Sequence, residues 1–258
     1  MSIRKFQKLN KELIGGDYHI LIEEQVDSTN RIVKELAQQG AAEGTVLFAE
    51  YQTAGRGRLG RSFFSPAGSG LYFTLLLRPA GKAVDALKLT VAAGVAVAEA
   101  VEQVTGLALK IKWVNDLYLE DKKVCGILAE GALRPEGGLA YCALGIGLNV
   151  FAPEDGFGEL STIAGALLEQ PQSGLRERLA RAILDRFFAY YRDLENPALS
   201  ASYRERSYLQ GKTVTVVRGA ERFRGTVVGI SDGAELLLRV GDEVLAFSSG
   251  EAVLENYR

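Results

Sequence analysis

Histidine and cysteine are the scarcest chemical resources of this chain. Its 258 residues include one histidine, His19, and two cysteines, Cys125 and Cys142. A lone imidazole builds no histidine-based zinc site and argues against a serine–histidine hydrolase. Two cysteines make no disulfide framework, and these two do not have metal-ligand spacing. Both sit in apolar, strand-like runs, which predicts buried thiols. An excess of one charge is also missing, since 30 basic and 32 acidic residues leave a net −2. A protein that grips nucleic acid by its phosphates carries a general basic excess or a long basic patch. Here the basic cluster is local, which favours a small anionic ligand. Long apolar runs are absent too. The most apolar helical stretch, 91–101, is interrupted by Glu99 and flanked by Lys88 and Glu102, so it reads as a core helix and not a membrane span. Residues 1–11 are polar and charged and show no secretory signal. Hydrophobic content of 47% and charged content of 24% are ordinary for a soluble globular protein. The expectation is a cytoplasmic enzyme with one large domain, or one large and one small.

What is present is concentrated in one place. Residues 49–66 read AEYQTAGRGRLGRSFFSP, with three glycines and three arginines between Gly55 and Arg61. Glycine lets backbone N–H groups approach a ligand closely, and arginine supplies planar charge that fits phosphate or carboxylate. The loop therefore reads as an anion clamp. Gly55-x-Gly57-x-x-Gly60 matches a dinucleotide-binding fingerprint literally, and Gly55-x4-Gly60-Arg61-Ser62 is one residue from a P-loop. Both patterns require a helix directly after the glycines. Here a turn and the strand-like LYFTLLL follow, and the P-loop lysine is replaced by Arg61. A merely solvated basic turn would not explain glycine and arginine interleaved this tightly.

Hydropathy patterning predicts strands at 18–26, 45–50, 71–77, 108–114, 124–130 and 139–150. A helix is expected to open at Asp27-Ser28-Thr29-Asn30 and end at Gly40, where Ser28 and Thr29 are also ordinary N-cap residues. A long Ala/Val helix runs from a cap at Asp85 to near Gly106. A hairpin turns at Glu120-Asp121-Lys122, and another at residues 134–138. A short helix is expected at 161–169. Leu175, Leu179, Ile183, Phe187 and Tyr191 recur every four residues, marking an amphipathic helix whose aromatic stripe belongs to the core. Pro197 is read as closing that region. From residue 207 the character changes to short alternating strands at 213–217, 222–230, 235–239, 243–248 and 252–256, a small antiparallel barrel. The expected domains are therefore 1–206 and 207–258. Hairpins mixed with helices point to an α+β layer structure with a mixed β-sheet, not a doubly wound fold.

The motifs gain meaning from their order. Asp27-Ser28-Thr29-Asn30 is followed by the basic loop, then by Lys112-Trp113-Val114-Asn115-Asp116, Lys122-Lys123-Val124-Cys125-Gly126-Ile127-Leu128 and Gly145-Ile146-Gly147-Leu148-Asn149-Val150. Ser249-Gly250-Glu251 closes the series. This succession closely resembles the biotin–protein ligases, over nearly the whole chain. The resemblance implies a catalytic domain of the class II aminoacyl-tRNA synthetase/biotin ligase type followed by an SH3-like barrel. It implies two steps, formation of biotinyl-5'-AMP from biotin and ATP with magnesium, then transfer to a lysine of a biotin carboxyl carrier protein. By the same resemblance Ser28, Thr29 and Gln52 would bind the ureido ring of biotin, within a biotin site that also takes in Asn30, Gly55, Arg56, Gly57, Arg58, Lys123 and Gly126. Arg58 would retain the adenylate and Arg61 reach the ATP phosphates. Lys123 would bridge the carboxyl and α-phosphate oxygens. Asn115 and Asn149 would face adenine or ribose, with Phe63 packed on the adenine, and Asp116 would assist the metal or the incoming lysine. Gly126 and Gly147 would allow close backbone approach. No side chain is assigned as a metal ligand.

Two positions depart from the common pattern, Val114 for a proline and Phe63 for the more frequent tryptophan. About 17 residues precede the first expected strand, too few for the helix-turn-helix of the larger members. No DNA operator is therefore expected, and no membrane; a homodimer through the catalytic sheet is possible within the family. Two other readings stay open at this level. One is a lipoate or octanoyl transferase of similar architecture, which lacks this GRGRxGR loop. The other is a non-catalytic module that sequesters biotin and docks a partner.

Overall fold

The computed structural model describes residues 8–79 and 86–254. A short helix α1 (Lys11–Ile14) leads into strand β1 (His19–Val26), helix α2 (Thr29–Gln38) and strand β2 (Thr45–Gln52). The basic loop then runs to β3 (Gly70–Leu77), followed by α3 (Ala86–Thr105). Next come β4 (Lys110–Lys112), β5 (Asp116–Leu119), β6 (Lys122–Leu133) and β7 (Leu139–Asn149). Helices α4 (Leu175–Tyr191) and α5 (Pro197–Glu205) precede β8 (Thr213–Arg218), β9 (Glu221–Ile230), β10 (Leu236–Val240), β11 (Glu243–Phe247) and β12 (Glu251–Leu254).

Seven strands form one mixed sheet in the order β1-β2-β3-β7-β6-β5-β4, in which only β1 and β2 pair in parallel. The period-2 alternation of the strands assigns their two faces. Val46 and Phe48 of β2, Phe73 and Leu75 of β3, and Leu144 and Ile146 of β7 join the main core with α3 and α4. Leu47, Leu76 and Ala143 point the other way and pack against Val33 and Ala37 of α2. Because α2 is short, it covers only part of that face. Its first turn, Thr29 and Asn30, still reaches Thr74 and Gly145; Gly147 lies beyond it, and the site opens there.

Helix α3 is buried on nearly all sides, as its composition requires. No described helix is long and apolar enough to cross a membrane. The cap expected at Asp85 lies outside the described residues. The stripe Leu175, Leu179, Ile183 and Phe187 is fully core, and Tyr191 stacks on Phe187 at 5.8 Å. Both cysteines are buried thiols; burial pushes Cys142 up to about 12 and Cys125 higher still.

Two expectations need correction. Pro197 opens a helix instead of closing a region: it sits in the first turn of α5, where its missing N–H costs nothing, and Asn196 caps Ala198 N at 2.9 Å. The segment 161–169 is not a helix. A single 3-10 turn, Gly158–Thr162, gives way to extended chain. Its backbone groups are taken by neighbours, with Lys123 N donating to Ile163 O, Leu167 N to Asn149 O and Leu168 N to Val150 O. The strand expected at 108–114 is also shorter, and β6 longer, than the pattern suggested.

The last five strands form a second, antiparallel sheet in the order β11-β10-β9-β8-β12. Its final strand is described to Leu254; residues 255 and 256 lie outside the described residues. Its inward residues Val214, Val216, Leu236, Leu238 and Phe247 continue the main core without a break. Trp113 Nε1 donates to Ala234 O at 3.0 Å and Tyr118 stacks on Tyr208 at 4.7 Å, fixing this sheet beside β4 and β5.

Candidate active site

Two hollows meet at the ring of Phe63. The smaller is lined by Ser28, Thr29, Asn30, Gln52, Arg56, Gly57, Arg58, Phe63, Asn115, Lys123 and Gly126. The larger, a cleft of about 630 Å³, is lined by Arg58, Arg61, Phe63, Lys112, Asn115, Asp116, Lys123, Asn149 and Glu251, among others. The expected residues thus converge from segments far apart in the chain. Gly55 is the exception and lines neither hollow. A Cβ there would lie 2.4 Å from Phe63 O and 2.8 Å from Ser65 Oγ, so this glycine lets the loop fold back on itself.

Away from Arg56, Arg58 and Lys123 at its mouth, the wall of the small hollow built by Thr29, Asn30, Gln52 and Thr74 is neutral and bonded to itself. Gln52 Oε1 accepts from Thr29 N (2.9 Å) and Thr29 Oγ1 (3.1 Å), and Gln52 Nε2 donates to Ser65 Oγ (2.9 Å). The Thr74 hydroxyl lies 2.8 Å from Thr29 Oγ1 and 2.6 Å from Asn30 Oδ1. Asn30 Nδ2 donates to Leu128 O and to Glu130 Oε2. The Asn30 amide is therefore fully used in holding the wall. Ser28 stands at the N-cap of α2 without a side-chain cap bond, leaving its hydroxyl to the hollow. The floor is glycine. A Cβ on Gly147 would lie 2.5 Å from the Phe63 ring, and one on Gly126 3.2 Å from it. Close approach is thus required at both glycines, and in this structure the group that approaches is Phe63. With the ring seated there, the hollow has about 50 Å³ free, room for waters and little else.

The large cleft is charged and cross-linked. Lys123 Nζ lies 2.7 Å from Asp116 Oδ1, and Asn115 Nδ2 donates to the same carboxylate oxygen at 3.1 Å. Arg58 donates to Asn115 Oδ1 at 3.0 Å and to Gly250 O at 3.1 Å. Arg61 forms a two-pronged pair with Glu251 at 2.6 and 2.9 Å, which raises its pKa. Burial depresses the pKa of Lys112, opposed by the carboxylates of Asp116 and Glu251. Asn149 is anchored through Nδ2 to Gly165 O at 2.9 Å. Val114 leaves the next two residues in place, with Asn115 bonded to Ile127 O and Asp116 opening β5.

Five contributors, Lys112, Glu251, Ser65, Thr74 and Glu130, were not given roles by sequence reasoning. Lys112 and Glu251 stand inside recognisable motifs, so motif membership was the available signal. Ser65 stands in the basic-loop stretch 49–66 and had the same signal; Thr74 and Glu130 had none. Glu130 accepts from Lys34 at 2.7 Å and lies 4.0 Å from Arg56. Burial works against its ionised form, but hydrogen bonds from Lys34 and Asn30, with the charges of Lys34 and Arg56, outweigh it and hold the carboxyl below the usual range.

Comparison with known proteins identifies the family. The profile of the Biotin/lipoate A/B protein ligase family matches residues 22–149. The biotin--[acetyl-CoA-carboxylase] ligase of Mycobacterium tuberculosis is 33% identical, over 96% of this chain and 94% of that protein. The bifunctional ligase/repressor BirA of Bacillus subtilis is 32% identical, over 95% of this chain and 76% of its own length. Among solved structures, the biotin protein ligase of Aquifex aeolicus in complex with biotin and ATP superposes with a TM-score of 0.75 at 27% identity, covering 92% of this chain and 98% of that one. With a curated relative 33% identical over 94% of its own length, the chain belongs to the biotin protein ligases, within the biotin/lipoate A/B ligase family.

Proposed function

We propose that this protein is an ATP-dependent biotin–protein ligase that activates biotin as biotinyl-5'-AMP and transfers it to a lysine of a biotin carboxyl carrier protein. The observation that carries the reading is the junction of the two hollows. Arg58, Lys123 and Asn115 line both, so one set of donors faces a neutral, hydrogen-bonding hollow and a cationic cleft at once.

The chemistry asks for this. A carboxylate oxygen of biotin attacks the α-phosphorus of ATP, the bond to pyrophosphate breaks, and a mixed anhydride forms. Both reactants are anions; two unit charges ~4 Å apart repel by roughly 4 kcal/mol at an effective dielectric of 20. Lys123 and Arg58 offset that repulsion and stabilise the charge that develops. The nucleophile is already ionised, so no histidine base is needed. Ser28, Thr29 and Gln52 take the ureido ring, Ser28 with its free hydroxyl and the other two by exchanging their mutual hydrogen bonds for bonds to its N–H groups and carbonyl. Entry of biotin displaces the Phe63 ring from Gly126 and Gly147, freeing it to pack on the adenine. In the second step Asp116 orients the incoming lysine ammonium, which gives a proton to solvent; the free amine attacks the acyl carbon, the amide C–N bond forms as the acyl C–O bond to phosphate breaks, AMP leaves, and a second proton passes to solvent.

Among the described residues no three His, Cys, Asp or Glu side chains converge as a metal site. Asp116 beside Asn115 is instead the donor set of an ion bound mainly by phosphate oxygens, which suits magnesium carried by ATP. Magnesium would neutralise phosphate charge there. The second sheet is read as the SH3-like barrel of the family, and the first as its synthetase-like catalytic layer.

The test is exchange of labelled pyrophosphate into ATP. Exchange with biotin and not with lipoate is expected, followed by labelling of a carrier-protein lysine. Tight biotin binding without any exchange would replace this reading with a sequestering module, and exchange with lipoate alone would move the substrate class.

A further inference from the structure

Beyond the hollows, one buried ion pair has no part in the chemistry described. Arg176 lies in the first turn of α4 and Glu50 near the end of β2, with side chains only 4% and 10% exposed. Arg176 Nη1 donates to Glu50 Oε2 at 2.7 Å and Nη2 faces Glu50 Oε1 at 3.4 Å. Nη1 also donates to Gly70 O at 3.2 Å. Leu9 N donates to Glu50, and Glu177 accepts from Asn10 N at 3.3 Å, so residues 9 and 10 close the pair from above.

Its place in the chain is the telling feature. Gln52 is the last residue of β2 and Gly70 the first of β3, and the basic loop is everything between them. The ladder between these strands ends at the pair Ala49–Tyr72. One guanidinium therefore joins Glu50 to Gly70 just where the β2–β3 ladder stops; past it, Gln52 N donates to Ser65 O at 3.3 Å inside the loop but does not reach β3. A buried ion pair is often no more stabilising than an apolar pair of like volume, so stability alone does not call for one here. An apolar pair would fill the space but could not hold the Gly70 carbonyl.

We infer that Arg176 and Glu50 are positioning residues, a clamp that fixes the two stems of the basic loop and so sets where Arg58 and Phe63 stand over the hollows. The kinetic part of this inference rests on the ligase reading above; the loop geometry does not.

The test compares wild type, the double variant Glu50→Leu/Arg176→Met, and Arg176→Lys, each as the full chain. Thermal midpoint, limited trypsin cleavage after Arg56, Arg58 and Arg61 read by mass spectrometry, and KM values in pyrophosphate exchange are measured. The double variant is expected to recover most of the wild-type midpoint, because it leaves no unpaired buried charge. Its loop is nonetheless cleaved about tenfold faster or more, and its KM for ATP rises about tenfold with a smaller loss in kcat. Arg176→Lys keeps the charge but cannot bridge Glu50 and Gly70 O with one fork. It is expected to stay folded with loop cleavage accelerated several-fold. Wild-type cleavage and KM in either folded variant would overturn the clamp and leave the pair a packing feature. Should wild type show no exchange at all, the ligase reading fails, while the cleavage comparison still decides the clamp.

Discussion

The two hollows that meet at Phe63 solve different problems with different chemistry. On the small side Thr29, Gln52, Asn30 and Thr74 are neutral, buried or half-buried, and already bonded to one another. On the large side Arg58, Arg61, Lys123, Asp116 and Glu251 are charged and more exposed; Arg58 and Arg61 tie the basic loop to Gly250 and Glu251 of the second sheet's last strand region, and Lys123 pairs with Asp116 across β5 and β6. A wall satisfied by its own hydrogen bonds is rigid and selects by shape and by donor–acceptor match. A wall of exposed ion pairs is loosely held, since such pairs contribute little each, and it can hand its cations to an incoming polyanion. Substitutions on the two sides should therefore fail differently.

The largest separation is expected from Lys123→Gln. It removes the cation shared between carboxylate and phosphate while leaving the Thr29–Gln52 wall intact. Pyrophosphate exchange should fall about 10²–10³-fold in kcat, with biotin affinity, measured by calorimetry, changed only a few-fold. Equal losses in both would mean that the two sides do not divide the labour. The glycines of β7 sharpen the contrast. In Gly145→Ala the new Cβ would lie 2.1 Å from Asn30 Oδ1, whose amide is bonded on both sides and cannot yield. A stability loss of about 2 kcal/mol and a marked loss of biotin affinity are expected. In Gly147→Ala the Cβ meets the Phe63 ring, a side chain that can swing into the open cleft. Chemical denaturation should show a loss of less than about 1 kcal/mol, with the ATP KM raised several-fold. If Gly147→Ala proved the more destabilising, Phe63 would be a fixed part of the core and not a movable partition.

What the sequence made legible follows the range of the interactions involved. Strand alternation in β2, β3 and β7 and the four-residue stripe of α4 are local patterns, and they placed the core correctly. Most of the residues that line the small hollow stand in contiguous motifs, which is why the sequence could bring them into view. The misread segment, 161–169, failed for a non-local reason: its backbone is claimed by β6 and β7. The partners that went unassigned are also distant ones. Glu251 meets Arg61 across 190 positions, Arg176 meets Glu50 across 126, and Glu130 meets Asn30 across 100. No periodicity or spacing encodes such pairs, so only the assembled sheet order brings them into view.

Glu130 offers the finest test of the contrast, because it belongs to both kinds of wall. It accepts a hydrogen bond from Asn30, on the neutral side, and it lies 4.0 Å from Arg56 of the basic loop. Its carboxyl is held below the usual range in the folded protein. A carboxyl with a depressed folded pKa lends stability that is fully present above its unfolded value, near 4.3, and fades as pH falls through the folded one. Glu130→Gln keeps the shape and an acceptor for Asn30 but loses the charge. Urea midpoints at pH 7 should put the variant about 1 kcal/mol below wild type, and the gap should close as the pH drops below about 4. At pH 7 the variant should also bind biotin nearly as well as wild type while its loop is cut faster after Arg56. A gap that stays constant with pH would assign Glu130 to the neutral wall alone, a hydrogen-bond acceptor whose charge holds nothing.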